Sequence, residues 1–375
     1  MKKGNKIVAE FFAGIGLMRM GLEQAQWQVV WANDIEESKK RMYEGHFRND
    51  KAHFELGDIH KLEVGTIPPV TLATASFPCN DLSLAGSRGG LAGKHSSAFW
   101  GFIEAIKGTG QNKPPLVMLE NVAGFLTSNK GKDFGDACLA LNGLGYSVDA
   151  LIIDASLFVP QSRVRMFLIG KLGMTDGSPN SKVSTCSESQ CRPRVLADYI
   201  NNSQQIRWSL RDLPKIIPTK KKLAGIIENL PANSPYWWSK QRSEYLLNQM
   251  SAKHRLIADK MIAGKKITCG TAFRRVRNGR SMAELRTDGI AGCLRTPRGG
   301  SGRQILFVAG KGKYAVRLLT PKECARLMGA GDFKISVPLN QALFGFGDAV
   351  CVPVIRWIAR NYLTPAWREI NGKNK

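Results

Sequence analysis

The chain has 375 residues, of which 43% are hydrophobic and 8% aromatic. That is ample material for a core, which sets aside disorder as the default state. No window approaches the roughly 18–20 uninterrupted apolar residues of a membrane-spanning helix. The charged start, Met-Lys-Lys-Gly-Asn-Lys, runs into a strand-like segment rather than a signal peptide. A cytoplasmic protein with no membrane partner is expected. The formal net charge is +24, and residues 181–315 hold 26 Lys/Arg against 8 Asp/Glu, whereas the rest of the chain holds 28 against 22. Solubility alone gives no reason for that concentration. A basic, polyanion-binding module joined to a nearly neutral catalytic one does.

In chain order, residues 1–170 alternate strand-length apolar runs with helical patterns. The runs are Ile7–Phe12, Val29–Ala32, Val70–Ala75, Leu116–Leu119, Ala150–Ile153 and Met166–Ile169, with helices expected over Phe99–Ile106 and Phe134–Leu144. This is the pattern of a doubly wound, mostly parallel α/β sheet. From about 172 to 195 the composition turns to Gly, Ser, Thr, Asn and Pro and reads as a linker. A helix is expected over Ser243–Gly264, then a Gly/Arg-rich stretch from Thr271 to Gln304. Thr320, Pro321 and Glu323 together predict a helix opened by a capping box. From Gly345 onward helical apolar spacing returns, as if the chain rejoined its first domain. The eight cysteines include no Cys-x-x-Cys pair and no accompanying histidine cluster, so no metal site is expected and most thiols should be small apolar fillers.

Four segments carry chemistry. Phe11-Phe12-Ala13-Gly14-Ile15-Gly16 follows a strand, and its small residues let the backbone approach a ligand near a helix N-terminus. Such a turn could serve a dinucleotide, a flavin or S-adenosylmethionine. Asp34 and Asp58, at the ends of the next two strands, narrow the choice to a nucleoside cofactor, one carboxylate for ribose hydroxyls and one for an adenine amino group. Phe77-Pro78-Cys79-Asn80 ends a strand and puts a thiol where such sheets bind ligands, ahead of a glycine-rich stretch, Leu84 to Ser97, suited to act as a lid. Glu120-Asn121-Val122 ends the apolar Leu116–Leu119 run, where a partly desolvated carboxyl can donate a proton. In Gln161-Ser162-Arg163-Val164-Arg165, strand alternation would put Gln161, Arg163 and Arg165 on one face.

In this order the motifs Phe-x-Gly-x-Gly, Pro-Cys, Glu-Asn-Val and Gln-x-Arg-x-Arg resemble those of the DNA (cytosine-5)-methyltransferases. The likeness covers about 1–170 and resumes over 317–355, with Arg317-Leu318-Leu319-Thr320-Pro321 and Gly347-Asp348-Ala349-Val350. The resemblance implies a Rossmann-like, S-adenosylmethionine-binding catalytic domain at 1–180, completed by 335–375. A smaller target-recognition domain would span 185–316, with a bracing helix at 317–334. It implies Cys79 as nucleophile, Glu120 as the acid at cytosine N3, Arg165 at cytosine O2 and Arg163 as an orienting group. Phe12, Gly14, Ile15, Gly16, Asp34, Ile35, Asp58, Ile59, Pro78, Asp348, Ala349 and Val350 would line the cofactor site, with Phe12 against the adenine. Two positions depart from the family pattern: Asn80 stands where Gln is common, and Asp348 where Asn is usual, adding a negative charge near the cofactor.

A base inside a duplex cannot meet Cys79, so the target cytosine must flip out. Arg88 is the candidate to fill its place. Arg274, Arg275, Arg277, Arg295, Arg298, Arg303 and Gln304 are the candidate DNA contacts, most of them to phosphate. Trp237 and Trp238 read as core. An RNA methyltransferase with the same motifs is the nearest competing reading, and the long basic segment favours duplex DNA. A monomer working in a bacterial restriction–modification or phage-defence setting, beside a cognate restriction or defence system, is what the family implies.

Overall fold

The computed structural model describes residues 5–48, 53–78, 97–173, 185–277, 279–296 and 302–372. The first half forms strands β1 (Ile7–Phe11), β2 (Gln28–Asp34), β3 (Phe54–Leu56), β4 (Leu72–Ala75), β5 (Leu116–Val122), β6 (Tyr146–Asp154) and β7 (Val164–Leu172). They make one sheet in the order β3-β2-β1-β4-β5-β7-β6. The first five pair in parallel, as near-continuous apolar runs do when both faces are covered. The exception is β7, which runs antiparallel to both β5 and β6, because β6 reaches it through a short turn rather than a crossover helix. The expected mostly parallel, doubly wound α/β sheet is present, with this one reversed strand.

Strand alternation splits the core in two. Val8, Leu72, Met118 and Phe167 face α1 (Leu17–Glu23), α2 (Glu37–His46) and the C-terminal helices α8 (Pro321–Leu327), α9 (Leu339–Asp348), α10 (Val352–Ile358) and α11 (Thr364–Gly372). Ala9, Phe11, Val117, Leu119 and Leu168 face α3 (Ser97–Gly108), α4 (Lys132–Gly143) and α5 (Arg194–Asn202). The C-terminal helices thus cover one face of the first sheet. It includes an 18-residue window of mean hydropathy 1.5, two-thirds buried inside the protein. The capping box forms: Thr320 accepts from the Glu323 amide and Glu323 from the Thr320 amide. Glu323 is also wholly buried against Arg317.

A second sheet, β11-β10-β8-β9, is built from β8 (Thr268–Arg277), β9 (Arg280–Arg286), β10 (Ile305–Gly310) and β11 (Lys313–Leu318). Its core is closed by α6 (Lys240–Asn248) and α7 (Ala252–Ala263). The single helix expected over Ser243–Gly264 is therefore two. The break at Gln249–Ser251 arises because β9 claims that backbone: the Ala283 amide donates to the Gln249 carbonyl, and Met250 bridges to Ala283. The linker expected over 172–195 is also corrected for residues 185–195. Arg192 is buried and grips the wholly buried Asp149 of β6, whose carboxylate also accepts from the Arg211 amide, so this polar stretch is fastened to the first sheet.

Candidate active site

The turn after β1 is held by its own backbone. Phe12, Gly14 and Gly16 all adopt positive φ, at 54°, 57° and 84°. The Gly14 amide donates to Asp34 Oδ2 at 2.9 Å, and the Glu36 amide to Asp34 Oδ1 at the same distance. Burial pushes the Asp34 carboxyl up, against the opposing pull of Lys39 and these two amides. The two glycines serve different ends. A Cβ on Gly14 would meet only the Phe12 carbonyl at 4.0 Å, so open space lies above it. A Cβ on Gly16 would strike the Phe47 ring at 2.4 Å and Tyr43 at 2.8 Å. Gly14 leaves a cradle for a ligand, while Gly16 allows α2 to pack. This corrects the reading of both as making room for a cofactor.

Of the other residues expected at the cofactor site, Ile35 and Pro78 are exposed and Asp58 is half-buried, its Oδ1 accepting from the His60 amide at 3.1 Å. Ile15 and Val350 are buried in the core on one face of the sheet and Ile59 in the core on the other. Asp348 does not leave a bare negative charge: its carboxylate lies 3.3 Å from Lys39 Nζ, bridging α9 and α2. The Lys39 ammonium, which burial alone would disfavour, is held above its usual range by Asp34, Asp348 and Glu36.

At the carboxyl end of β5, Glu120 is 6% exposed, and its Oε1 lies 3.0 Å from Arg165 Nε of β7. Both side chains project from the sheet face that carries Met118 and Phe167. The next residue, Asn121, donates from Nδ2 to the Phe77 carbonyl at 3.2 Å. It ties the Glu-Asn-Val segment to the chain two residues before Cys79. Asn121 was named in its motif without a role; the clue in sequence was only that an amide sits beside the carboxyl. Cys79 itself, with Asn80 and Arg88, lies outside the described residues.

Gln161, Arg163 and Arg165 do not share one strand face. Strand β7 begins at Val164, and the two preceding side chains turn inward. Gln161 donates to the Leu327 carbonyl at 2.8 Å and accepts from the Leu294 amide at 3.0 Å. Arg163, 2% exposed, donates to the carbonyls of Leu294 (2.8 Å), Gly347 (3.1 Å) and Ala349 (2.6 Å). It positions the 347–349 turn and the 293–295 segment and touches no open space. Arg163 Nη1 also donates to Cys293 Sγ at 3.4 Å. Burial would raise that thiol, yet Arg163, Arg165 and Arg295 hold it below its usual value. Nothing near Cys293 in sequence sets it apart from the other cysteines, because one of these guanidiniums, Arg163, comes from a distant segment.

Of the candidate nucleic-acid contacts, Arg275, Arg277 and Arg295 are exposed and Arg274 and Arg303 half-buried. Arg275 and Arg277 share Glu284, at 3.3 and 2.8 Å. Gln304 is corrected: it is 7% exposed, with its amide on the Cys293 carbonyl, and braces the loop from inside. Arg298 lies outside the described residues. Trp237 and Trp238 are half-buried against the cores, as read from sequence, but each also carries a guanidinium on its ring: Arg317 on Trp237 and Arg242 on Trp238.

Comparison with known proteins adds a family match, two sequence relatives and two structural neighbours. Residues 7–364 match the family model described as C-5 cytosine-specific DNA methylase. The chain is 28% identical over 367 residues to the type II methyltransferase M.DsaV of Dactylococcopsis salina, covering 97% of this chain and 88% of that one. It is 25% identical over 366 residues to the type II methyltransferase M.HhaI of Haemophilus parahaemolyticus, covering 94% and 92%. Among solved structures it superposes on the Dnmt2 methyltransferase of S. pombe with a TM-score of 0.63 at 19% identity, covering 96% and 98% of the two chains. The corresponding TM-score for the methyltransferase EhMeth of Entamoeba histolytica is 0.64 at 16% identity, covering 97% and 98%. At those identities the likeness is one of fold.

Proposed function

Because the chain belongs to the C-5 cytosine-specific DNA methylase family, we propose that it transfers a methyl group from S-adenosylmethionine to C5 of a cytosine flipped out of duplex DNA. The observation that carries the reading is the pairing of buried Glu120, at the end of β5, with half-buried Arg165 of β7, the first latched through Asn121 to the Phe77 carbonyl. An acid and a guanidinium held together beside the segment that bears a cysteine are what addition to a pyrimidine ring requires.

Cytosine C5 is a weak nucleophile. Addition of the Cys79 thiolate at C6 forms a C–S bond and turns the ring into an enamine able to accept a methyl at C5. Electron density then moves onto N3 and O2. Glu120 supplies a proton to N3 and Arg165 donates to O2, both in a site with little water, where such contacts are strongest. S-adenosylmethionine, when bound, supplies the electrophilic methyl group. The C5 proton leaves to a base or water, N3 returns its proton to Glu120, the C6–S bond breaks, and Cys79 departs as thiolate. For the donor, the Gly14 cradle, Asp34, exposed Ile35, Asp58 and Pro78 fit a nucleoside edge. Phe12 would stack on the adenine. Lys39 neutralises Asp348, so the site does not depend on an Asn at that position.

The catalytic unit in this reading is 1–180 with 335–375, and the basic segment grips DNA. The fastening of Arg192 and Arg211 to Asp149 favours starting the DNA-binding unit after Arg211, rather than at residue 185. A restriction–modification or defence setting is supported by the type II methyltransferases among its relatives. The test is to sequence 5-methylcytosine in DNA from cells expressing the wild type or Cys79→Ala. The reading expects one methylated sequence context in the first and none in the second. Absence of 5-methylcytosine in both would refute it.

A further inference from the structure

Trp238 is pinned to the second sheet: its amide donates to the Val316 carbonyl at 2.9 Å, and its ring packs on that sheet's core. Four residues on, in the first turn of α6, the Arg242 guanidinium lies 4.0 Å from the ring centroid. Arg274, on β8, reaches to 5.8 Å of the same ring. Arg303, just before β10, is a third cation, close enough for Arg242 to feel its charge. It donates to Asn340 Oδ1 at 3.1 Å, while its Nε is buried with no partner. The proximity registers in the charge of Arg242: burial first, then repulsion from Arg274 and Arg303, lower its affinity for its proton.

The neighbouring arginines look different. Arg255, Arg275, Arg277 and Arg286 each have a carboxylate within 4.0 Å. Among the described residues no carboxylate stands that close to Arg242, Arg274 or Arg303. Arg242, exposed, with half-buried Arg274 and Arg303, therefore presents a positive surface without a protein counter-charge, suited to an anion from outside. The Trp238 face is occupied by Arg242, so a guanidinium, not a nucleobase, uses it as a platform. A planar guanidinium so oriented presents its fork to oxygens in bidentate fashion. The ligand is therefore anionic and offers several oxygens over an extended front.

We propose that Arg242 and Arg274, gathered about Trp238, form a phosphodiester clamp, extended by Arg303, that grips the DNA backbone without reading sequence. This rests on the reading that the chain acts on duplex DNA. It assigns a role to Arg242 and Trp238, and it separates backbone grip from base reading, which falls to other parts of the basic segment.

The test measures binding of the full chain to a random-sequence duplex pool and to the duplex found by methylation sequencing, from 50 to 200 mM salt. Each phosphate contact contributes about 0.9 to the slope of log affinity against log salt. Arg242→Gln and Arg274→Gln should each lower that slope by about 0.9. Over this range the wild type then loses about 3.5-fold more affinity than either variant. Both duplexes should be affected alike. Arg242→Lys, which keeps the charge, should retain most of the slope, and Arg255→Gln, whose guanidinium already has Asp259, should leave it unchanged. An unchanged slope in Arg242→Gln and Arg274→Gln would overturn the clamp, as would a loss confined to the cognate duplex. If the wild type binds neither duplex, the reading as a DNA methylase fails, and the clamp with it.

Discussion

Gly14 and Gly16 sit two residues apart in one turn, yet alanine at each should fail in a different way. Both have positive φ, so an L side chain costs about 1–2 kcal/mol in either place, less the about 0.4–1 kcal/mol gained by restricting the unfolded chain. At Gly14 nothing further opposes the new methyl, because its surroundings are open. At Gly16 the methyl would lie 2.4 Å from Phe47 and 2.8 Å from Tyr43, and overpacking of that kind adds about 1–3 kcal/mol. Gly16→Ala should thus cost about 2–4 kcal/mol and Gly14→Ala about 0.5–1.5 kcal/mol. For a chain this long, about 1 kcal/mol moves the melting temperature by roughly 1.3 °C. Melting should fall by about 3–5 °C for Gly16→Ala and about 1–2 °C for Gly14→Ala. Calorimetric titration with S-adenosylmethionine should rank them the other way: Gly14→Ala puts a methyl in the cradle and should weaken binding by about tenfold or more, worth about 1.4 kcal/mol. Gly16→Ala, once folded, should bind nearly as the wild type does. If Gly14→Ala binds the donor normally, the cradle has been assigned to the wrong ligand or the wrong face.

Three further outcomes follow from the site and its supports. Glu120→Gln keeps an oxygen for Arg165 but loses the ionisable proton; kcat should fall by about 10²–10⁴ in a methyl-transfer assay, with DNA affinity within a few-fold of wild type. Asn121→Ala strands the buried Phe77 carbonyl and should cost about 1–3 kcal/mol in urea unfolding, with kcat reduced as the segment before Cys79 loosens. Glu10, on β1 and 1% exposed, is pushed up to about 8 from 4.5 by burial, against the opposing pull of Arg19. The folded chain holds this proton where the unfolded chain has released it, so the contribution of Glu10 to stability falls between about pH 4.5 and 8 and levels off above. Melts of wild type and Glu10→Gln should diverge by up to about 1.4 kcal/mol per pH unit in that window, the wild type losing ground as pH rises; parallel curves would exclude an ionising Glu10.

The parts legible in the sequence were those with a local cause. Apolar runs ending in small or acidic residues gave the parallel strands, and Thr320, Pro321 and Glu323 gave a helix start that tertiary packing then reinforced through Arg317. The parts that were hidden depend on partners far along the chain. Nothing near Gln249 says that β9 will take its carbonyl and split a helix. The polar composition of residues 185–195 reads as a linker until Arg192 meets Asp149. Gln161 and Arg163 look like strand residues by alternation, but carbonyls at Leu327, Leu294, Gly347 and Ala349 draw them inward. Gln304 reads as a DNA contact because it follows a run of Arg and Gly, but it is buried with its amide on the Cys293 carbonyl. Asp348 looked like an added charge, and Lys39, more than 300 residues away, removes it.

The most direct test of the account is covalent trapping. The purified chain, S-adenosylmethionine and a duplex carrying 5-fluorocytosine at the methylated position are combined, denatured and weighed by intact-mass spectrometry. The account requires an adduct of one chain with one DNA strand, mapped by proteolysis to Cys79 and missing from Cys79→Ser. No adduct with the wild type, or an adduct that persists in Cys79→Ser, would contradict it.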